Sequence, residues 1–89
     1  MPVVSFTTAL RRFLPAPSMQ VEAATVADAL AQACGAYPRL RGYVLDHQGR
    51  VRRHIAVYVN GWPIRDREGL GDAVGPQDQI SVFQALSGG

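Results

Sequence analysis

Polar and apolar residues alternate in several short stretches of this chain, and in one longer stretch the apolar positions recur at helical spacing. In residues 3–8, Val4 and Phe6 alternate with Val3, Ser5 and Thr7, which predicts a strand with one buried face. Residues 9–17 read as a turn, since Pro15 and Pro17 remove two backbone donors. Alternation resumes over residues 18–22, with Met19 and Val21 on the covered side and Pro17 at the start, where no ladder donor is needed. Val26, Ala29, Leu30, Ala33 and Cys34 then fall at i, i+3, i+4, i+7 and i+8, an unbroken helical stripe. Thr25 supplies an N-cap hydroxyl and Asp28 an acid at the positive end of the dipole, while Gly35 is the expected last residue and Pro38 bars continuation.

Residues 38–51 carry mixed signals. Leu40, Tyr43 and Leu45 suit a short helical turn and residues 46–49 are turn formers, which predicts a long, partly ordered crossover. Residues 52–59 form the clearest strand, with Ile55, Val57 and Val59 on one face and His54, Ala56 and Tyr58 on the other. Asn60-Gly61 signals a type I′ hairpin, and Pro63 confines the returning segment to an edge. Residues 65–76 are polar and glycine-punctuated, with Leu70 and Val74 to pin them down, and residues 78–83 alternate again as a last strand. The compact solution puts the first and last strands side by side, parallel, at the centre of one sheet.

With 89 residues the chain can build one core but not a deep enclosed pocket as well, and no apolar run approaches a membrane span. The N-terminus lacks the basic start and apolar block of a secretory signal, and one cysteine permits no internal disulfide, so a cytoplasmic protein is expected. A net charge of +2 is too small to argue for nucleic acid. All nine basic side chains are arginine. Without lysine the chain can form no Schiff base and accept no isopeptide bond on a side chain, so any conjugation must run outward from its C-terminus. His47 and His54 are not at metal-ligand spacing, no serine has a base partner in sequence, and Cys34 belongs to the apolar stripe. No catalytic or metal site is expected.

The tail is the one unusual piece of chemistry. After the last strand come Gln84, Ala85, Leu86, Ser87, Gly88 and Gly89. Two glycines with nothing beyond them cannot act as a hinge, turn or cap; they can enter a narrow channel and present a terminal carboxylate. If Ile80 and Val82 face the helix, Ser81 and Phe83 point the other way beside Ala56 and Tyr58. That uncovered face is the expected docking surface, with Phe83, Tyr58 and Leu86 as contacts and Arg11, Arg12, Arg52 and Arg53 as a positive rim.

The element order, Tyr58-Val59-Asn60-Gly61 at the hairpin, residues 75–80 (Gly-Pro-Gln-Asp-Gln-Ile) before the last strand and the Ser87-Gly88-Gly89 end together resemble the ubiquitin-like sulfur carrier proteins over the whole chain. Among these are the small subunit of molybdopterin synthase and the carrier of thiazole synthesis. The strand at residues 53–60 is most similar to the branch that serves cysteine synthesis in actinobacteria. Residues 84–87 depart from the proline pair of the molybdopterin synthase subunits, and Trp62-Pro63 is unusual. The resemblance implies an α+β, β-grasp fold: a mixed five-stranded sheet covered by one main helix over residues 1–86, with a flexible tail at residues 87–89. It also implies a non-enzyme whose Gly89 is adenylated by a ubiquitin-activating-type adenylyltransferase using ATP and magnesium, then converted to a thiocarboxylate that donates sulfur in the biosynthesis of cysteine or another sulfur-containing metabolite or, alternatively, as the small subunit of a molybdopterin synthase. Further implied partners are a sulfur-accepting synthase and a metalloprotease that processes the tail. Two other readings stay open on the residues: a modifier joined through Gly89 to lysines of other proteins, and a plain interaction domain in which the glycines are incidental.

Overall fold

The computed structural model describes residues 1–6 and 18–84. Its elements are β1 (Val3–Phe6), β2 (Ser18–Gln20), α1 (Val26–Ala36), α2 (Pro38–Val44), β3 (Ile55–Val59), β4 (Trp62–Pro63) and β5 (Gln79–Gln84). The five strands form one sheet in the order β2-β1-β5-β3-β4. β1 and β5 are parallel neighbours at its centre, with Val4 beside Ile80 and Phe6 beside Val82. β2 pairs antiparallel with β1, and β3 antiparallel with both β5 and β4.

Strand alternation sends Val4, Phe6, Ile55, Val57, Ile80 and Val82 to one face, where they are buried against the helices. α1 contributes Val26, Ala29, Leu30, Ala33 and Cys34, the five stripe positions. Each fully buried leucine, isoleucine or valine here stabilises the fold by about 1.5–3 kcal/mol relative to exposure. Leu70 and Val74 are buried too, and the segment they pin serves the helix directly. Val26 N–H donates to the Asp72 carbonyl at 3.0 Å and Ala27 N–H to the Leu70 carbonyl at 2.8 Å, satisfying first-turn donors that a helix cannot pair internally. Asp28 N–H takes the Thr25 hydroxyl at 3.2 Å.

Three expectations need correction. Gly35 does not end α1, which runs on to Ala36; Tyr37, held extended at φ −131° and ψ 82° by the proline that follows it, ends it instead. Pro38 does not merely bar continuation. It occupies the first turn of α2, where a missing N–H costs nothing, so a second helix with Leu40 and Val44 buried stands where a partly ordered crossover was expected. The third strand begins at Ile55 rather than residue 52, because Ile55 N–H closes a turn on the Arg52 carbonyl at 3.0 Å.

Candidate functional site

The hairpin and the run before β5, which carried much of the resemblance, are joined in space. Asn60 at φ 52° and Gly61 at φ 86° make the expected type I′ turn. The Asn60 side chain donates from Nδ2 to Asp78 Oδ1 at 2.9 Å and accepts from Gln79 N–H at Oδ1, also 2.9 Å. Asp78 Oδ2 accepts from Gly75 N–H at 2.7 Å. That amide bond, followed by the Asn60 side chain, holds the Asp78 carboxyl below the usual carboxylate range. These bonds shape the entry into β5 and engage the Asn60 amide and both Asp78 carboxylate oxygens.

Beyond that entry, β5 carries Ser81 and Phe83 on the face turned away from the helices, beside Ala56 and Tyr58 of β3. All four are half-buried. The Tyr58 and Phe83 rings, diagonal neighbours across the ladder, stack with centroids 5.0 Å apart and planes 20° from parallel. Such a pair is worth about 0.5–1.5 kcal/mol beyond its area and presents a rigid aromatic surface. Trp62 is a large exposed side chain, at 76%. It pairs with Val59, on the helix side of the sheet, at the end away from the last rung of β5.

The start of β3 lies across from the end of β5, since Ile55 pairs with Gln84. Arg53 is exposed there, whereas Arg52 is half-buried and its Nε donates to the Gly42 carbonyl at the end of α2 at 2.7 Å. His54 sits edge-on to the Tyr43 ring, with centroids 6.0 Å apart. Arg67 is a residue that sequence reasoning missed: its Nη2 donates to the carbonyls of Arg52 at 3.0 Å and Ile55 at 2.7 Å. No local pattern marks a side chain that reaches back across so many residues. Arg11, Arg12, Leu86, Ser87, Gly88 and Gly89 lie outside the described residues.

Cys34 is buried, at 4% exposure, and burial pushes its thiol up, with the Arg41 charge only partly opposing. A cleft beside it is lined by Ala27, Arg41, Leu45 and Glu68, and by none of the open-face residues. No group of three or more His, Cys, Asp or Glu side chains that could hold a metal occurs among the described residues, and no helix there is long and apolar enough to cross a membrane. The described residues present here an open sheet face and a strand end.

Such a sheet, with β1 and β5 parallel at its centre, is shared with known proteins. The profile of the ThiS family matches residues 4–89. The chain belongs to the ThiS family. This ThiS-family chain is 38% identical over 66 residues to small archaeal modifier protein 1 of Haloferax volcanii, a match covering 74% of it and 71% of the relative. The crystal structure of that Haloferax protein superposes with a TM-score of 0.84 at 30% identity, covering 99% of this chain and 98% of the other. A chain of the Amycolatopsis orientalis BexX/CysO complex gives a TM-score of 0.86 at 26% identity, with both chains fully covered. Members of this ThiS-type group are small ubiquitin-like carriers or modifiers rather than catalysts.

Proposed function

We propose that this ThiS-family protein is a sulfur carrier whose Gly89 carboxylate is the working group. The observation that carries the reading is a β-grasp sheet whose central strand leads, beside a stacked aromatic pair, into a sequence ending in Gly88-Gly89 within the family match. A carboxylate is a poor electrophile. An activating enzyme therefore joins a Gly89 oxygen to the α-phosphate of ATP and releases pyrophosphate. A sulfide-level sulfur then attacks the carbonyl carbon, the bond to AMP breaks, and a thiocarboxylate remains. The carrier's part is to dock and to deliver: the five residues after Gln84 span at most about 17 Å, enough to enter a partner's active site. The likeness to a chain of the BexX/CysO complex supports a protein that works in complex with partners; those proposed here are an activating adenylyltransferase and a sulfur-accepting synthase.

A second reading, conjugation of Gly89 to lysines of other proteins, is favoured by the identity to small archaeal modifier protein 1. Under it this lysine-free chain can be attached to other proteins but cannot extend itself through its side chains. Mass spectrometry decides between them. With the activating enzyme, magnesium-ATP and a sulfur source, the protein should gain the mass of one oxygen-to-sulfur exchange, located on Gly89, and a variant lacking Gly89 should fold and gain nothing. Conversion of the truncated variant would refute the carrier reading, and covalent adducts on lysines in a lysate would establish the modifier.

A further inference from the structure

β4 is too short to cover β3 along its whole length. Ile64 N–H donates to the Val57 carbonyl at 3.1 Å, so the peptide groups of the odd-numbered residues of β3 face β4 and those of the even-numbered residues face β5. One step nearer the start of β3, the Ile55 carbonyl faces the sheet edge where β4 has already ended. Arg67 takes the place of the missing strand there, donating from one nitrogen to the Ile55 carbonyl at 2.7 Å and the Arg52 carbonyl at 3.0 Å. Ile55 N–H itself closes on the Arg52 carbonyl, and Val51 N–H donates to the Arg67 carbonyl at 3.2 Å. One side chain thus binds both ends of the turn that launches β3. Across from it lie the last rungs of β5, Ala56 beside Phe83 and Ile55 beside Gln84.

We propose that Arg67 is a positioning residue for the tail. By clamping the Arg52 to Ile55 turn it fixes the end of β3, hence the end of β5 at Gln84, the point from which the tail sequence continues. The role in turnover rests on the carrier reading above; the clamp itself does not. A guanidinium suits the task because its planar fork is pre-organised and loses less freedom per hydrogen bond, whereas the three donors of an ammonium rotate on a flexible stem.

Arg67→Met keeps the aliphatic stem and removes the donors, and Arg67→Lys keeps the charge. In hydrogen exchange on the intact protein, Arg67→Met should speed exchange at the Ala56 and Phe83 amides about tenfold while Val4 and Leu30 keep their protection, with Arg67→Lys in between. Because the carrier is the activating enzyme's substrate, a partly unfolded carrier raises its KM. A folded carrier with a misdirected tail docks normally and turns over slowly, so Arg67→Met should lower kcat about tenfold with KM nearly unchanged, and Arg67→Lys should recover part of it. Unchanged exchange at Ala56 and Phe83 would overturn the clamp. Loosened rungs with kcat intact, or a change in KM alone, would overturn the positioning role. Wild-type protein that is never adenylated would sink the carrier reading and that role together, while the exchange data still decide the clamp.

Discussion

Replacing Asn60 by alanine tests whether the hairpin motif serves the fold or the chemistry. Asn60 sits at φ 52°, where an ordinary Cβ costs about 1–2 kcal/mol. Its side chain makes two hydrogen bonds, to Asp78 and from Gln79 N–H, each worth about 0.5–1 kcal/mol at a site open to water. The backbone bond from Asn60 N–H to the Gln79 carbonyl at 2.8 Å survives any substitution except proline. Asn60→Ala should therefore lose roughly 2–4 kcal/mol, and Asn60→Gly, which relieves the backbone conformation, roughly 1–2. At about 4–8 °C per kcal/mol for a domain of this size, the alanine variant should melt at least about 8 °C lower. Urea unfolding of wild type and both variants gives the free energies directly. At a temperature where each is folded, both variants should still be adenylated at the wild-type rate. The reasoning is refuted if Asn60→Ala costs less than about 1 kcal/mol, or if a fully folded variant is no longer a substrate.

Phe83→Ala should weaken binding to the activating enzyme by about 2 kcal/mol, a fall of roughly thirtyfold in affinity, while lowering the melting temperature by only a few degrees as the Tyr58 stack is lost. A collapse in stability with unchanged affinity would make Phe83 a core residue instead. Arg53→Glu should slow association and flatten its dependence on salt, measured by stopped flow, and an unaltered salt slope would remove Arg53 from the docking rim. The carboxyls of Asp46, Asp66, Asp72 and Asp78 are each held low first of all by backbone N–H donors, from Arg50, Gly69, Arg65 and Gly75 respectively. Values lowered by folding stabilise the protein above the unfolded value of about 4 and lose that contribution as pH falls through the lowered values. Stability should hold from pH 7 to 5 and drop below about pH 4, less steeply in Asp78→Asn; stability that rises on acidification would contradict the assignment.

Much of this architecture was written in local patterns. The five stripe residues of α1 are all buried, and β1, β3 and β5 send the expected residues to the helix side, because alternation and helical period record which face meets the core. The parallel pairing of β1 with β5 followed from the chain's connections alone. α2 was harder to see. Only seven residues long, it opens on Pro38 and contains Gly42, so its helical tendency rests on packing by Leu40 and Val44 and on the Gly42 carbonyl finding Arg52. The Tyr58 and Phe83 surface could be read from alternation. The joining of Asn60 to Asp78, and of Arg67 to Arg52 and Ile55, could not, since each bond links residues whose proximity exists only once the sheet has formed.

The place of β5 between β1 and β3 has a mechanical side. A partner that draws on the tail pulls along the axis of β5, which is bonded to β1 on one flank and β3 on the other. Such a load is shared by both ladders at once, in shear, so no rung can yield alone; a pull across β4, with two residues at the sheet's edge, would part its rungs one after another. Optical tweezers with handles on Gly89 and Met1, beyond the end of β5 and before the start of its parallel neighbour β1, or on Trp62 and Asp78, both at the same end of the sheet, would separate the two geometries, the first rupturing at the higher force. Under the carrier reading, an end drawn into a partner enzyme's active site is thereby anchored where the sheet's fabric is strongest.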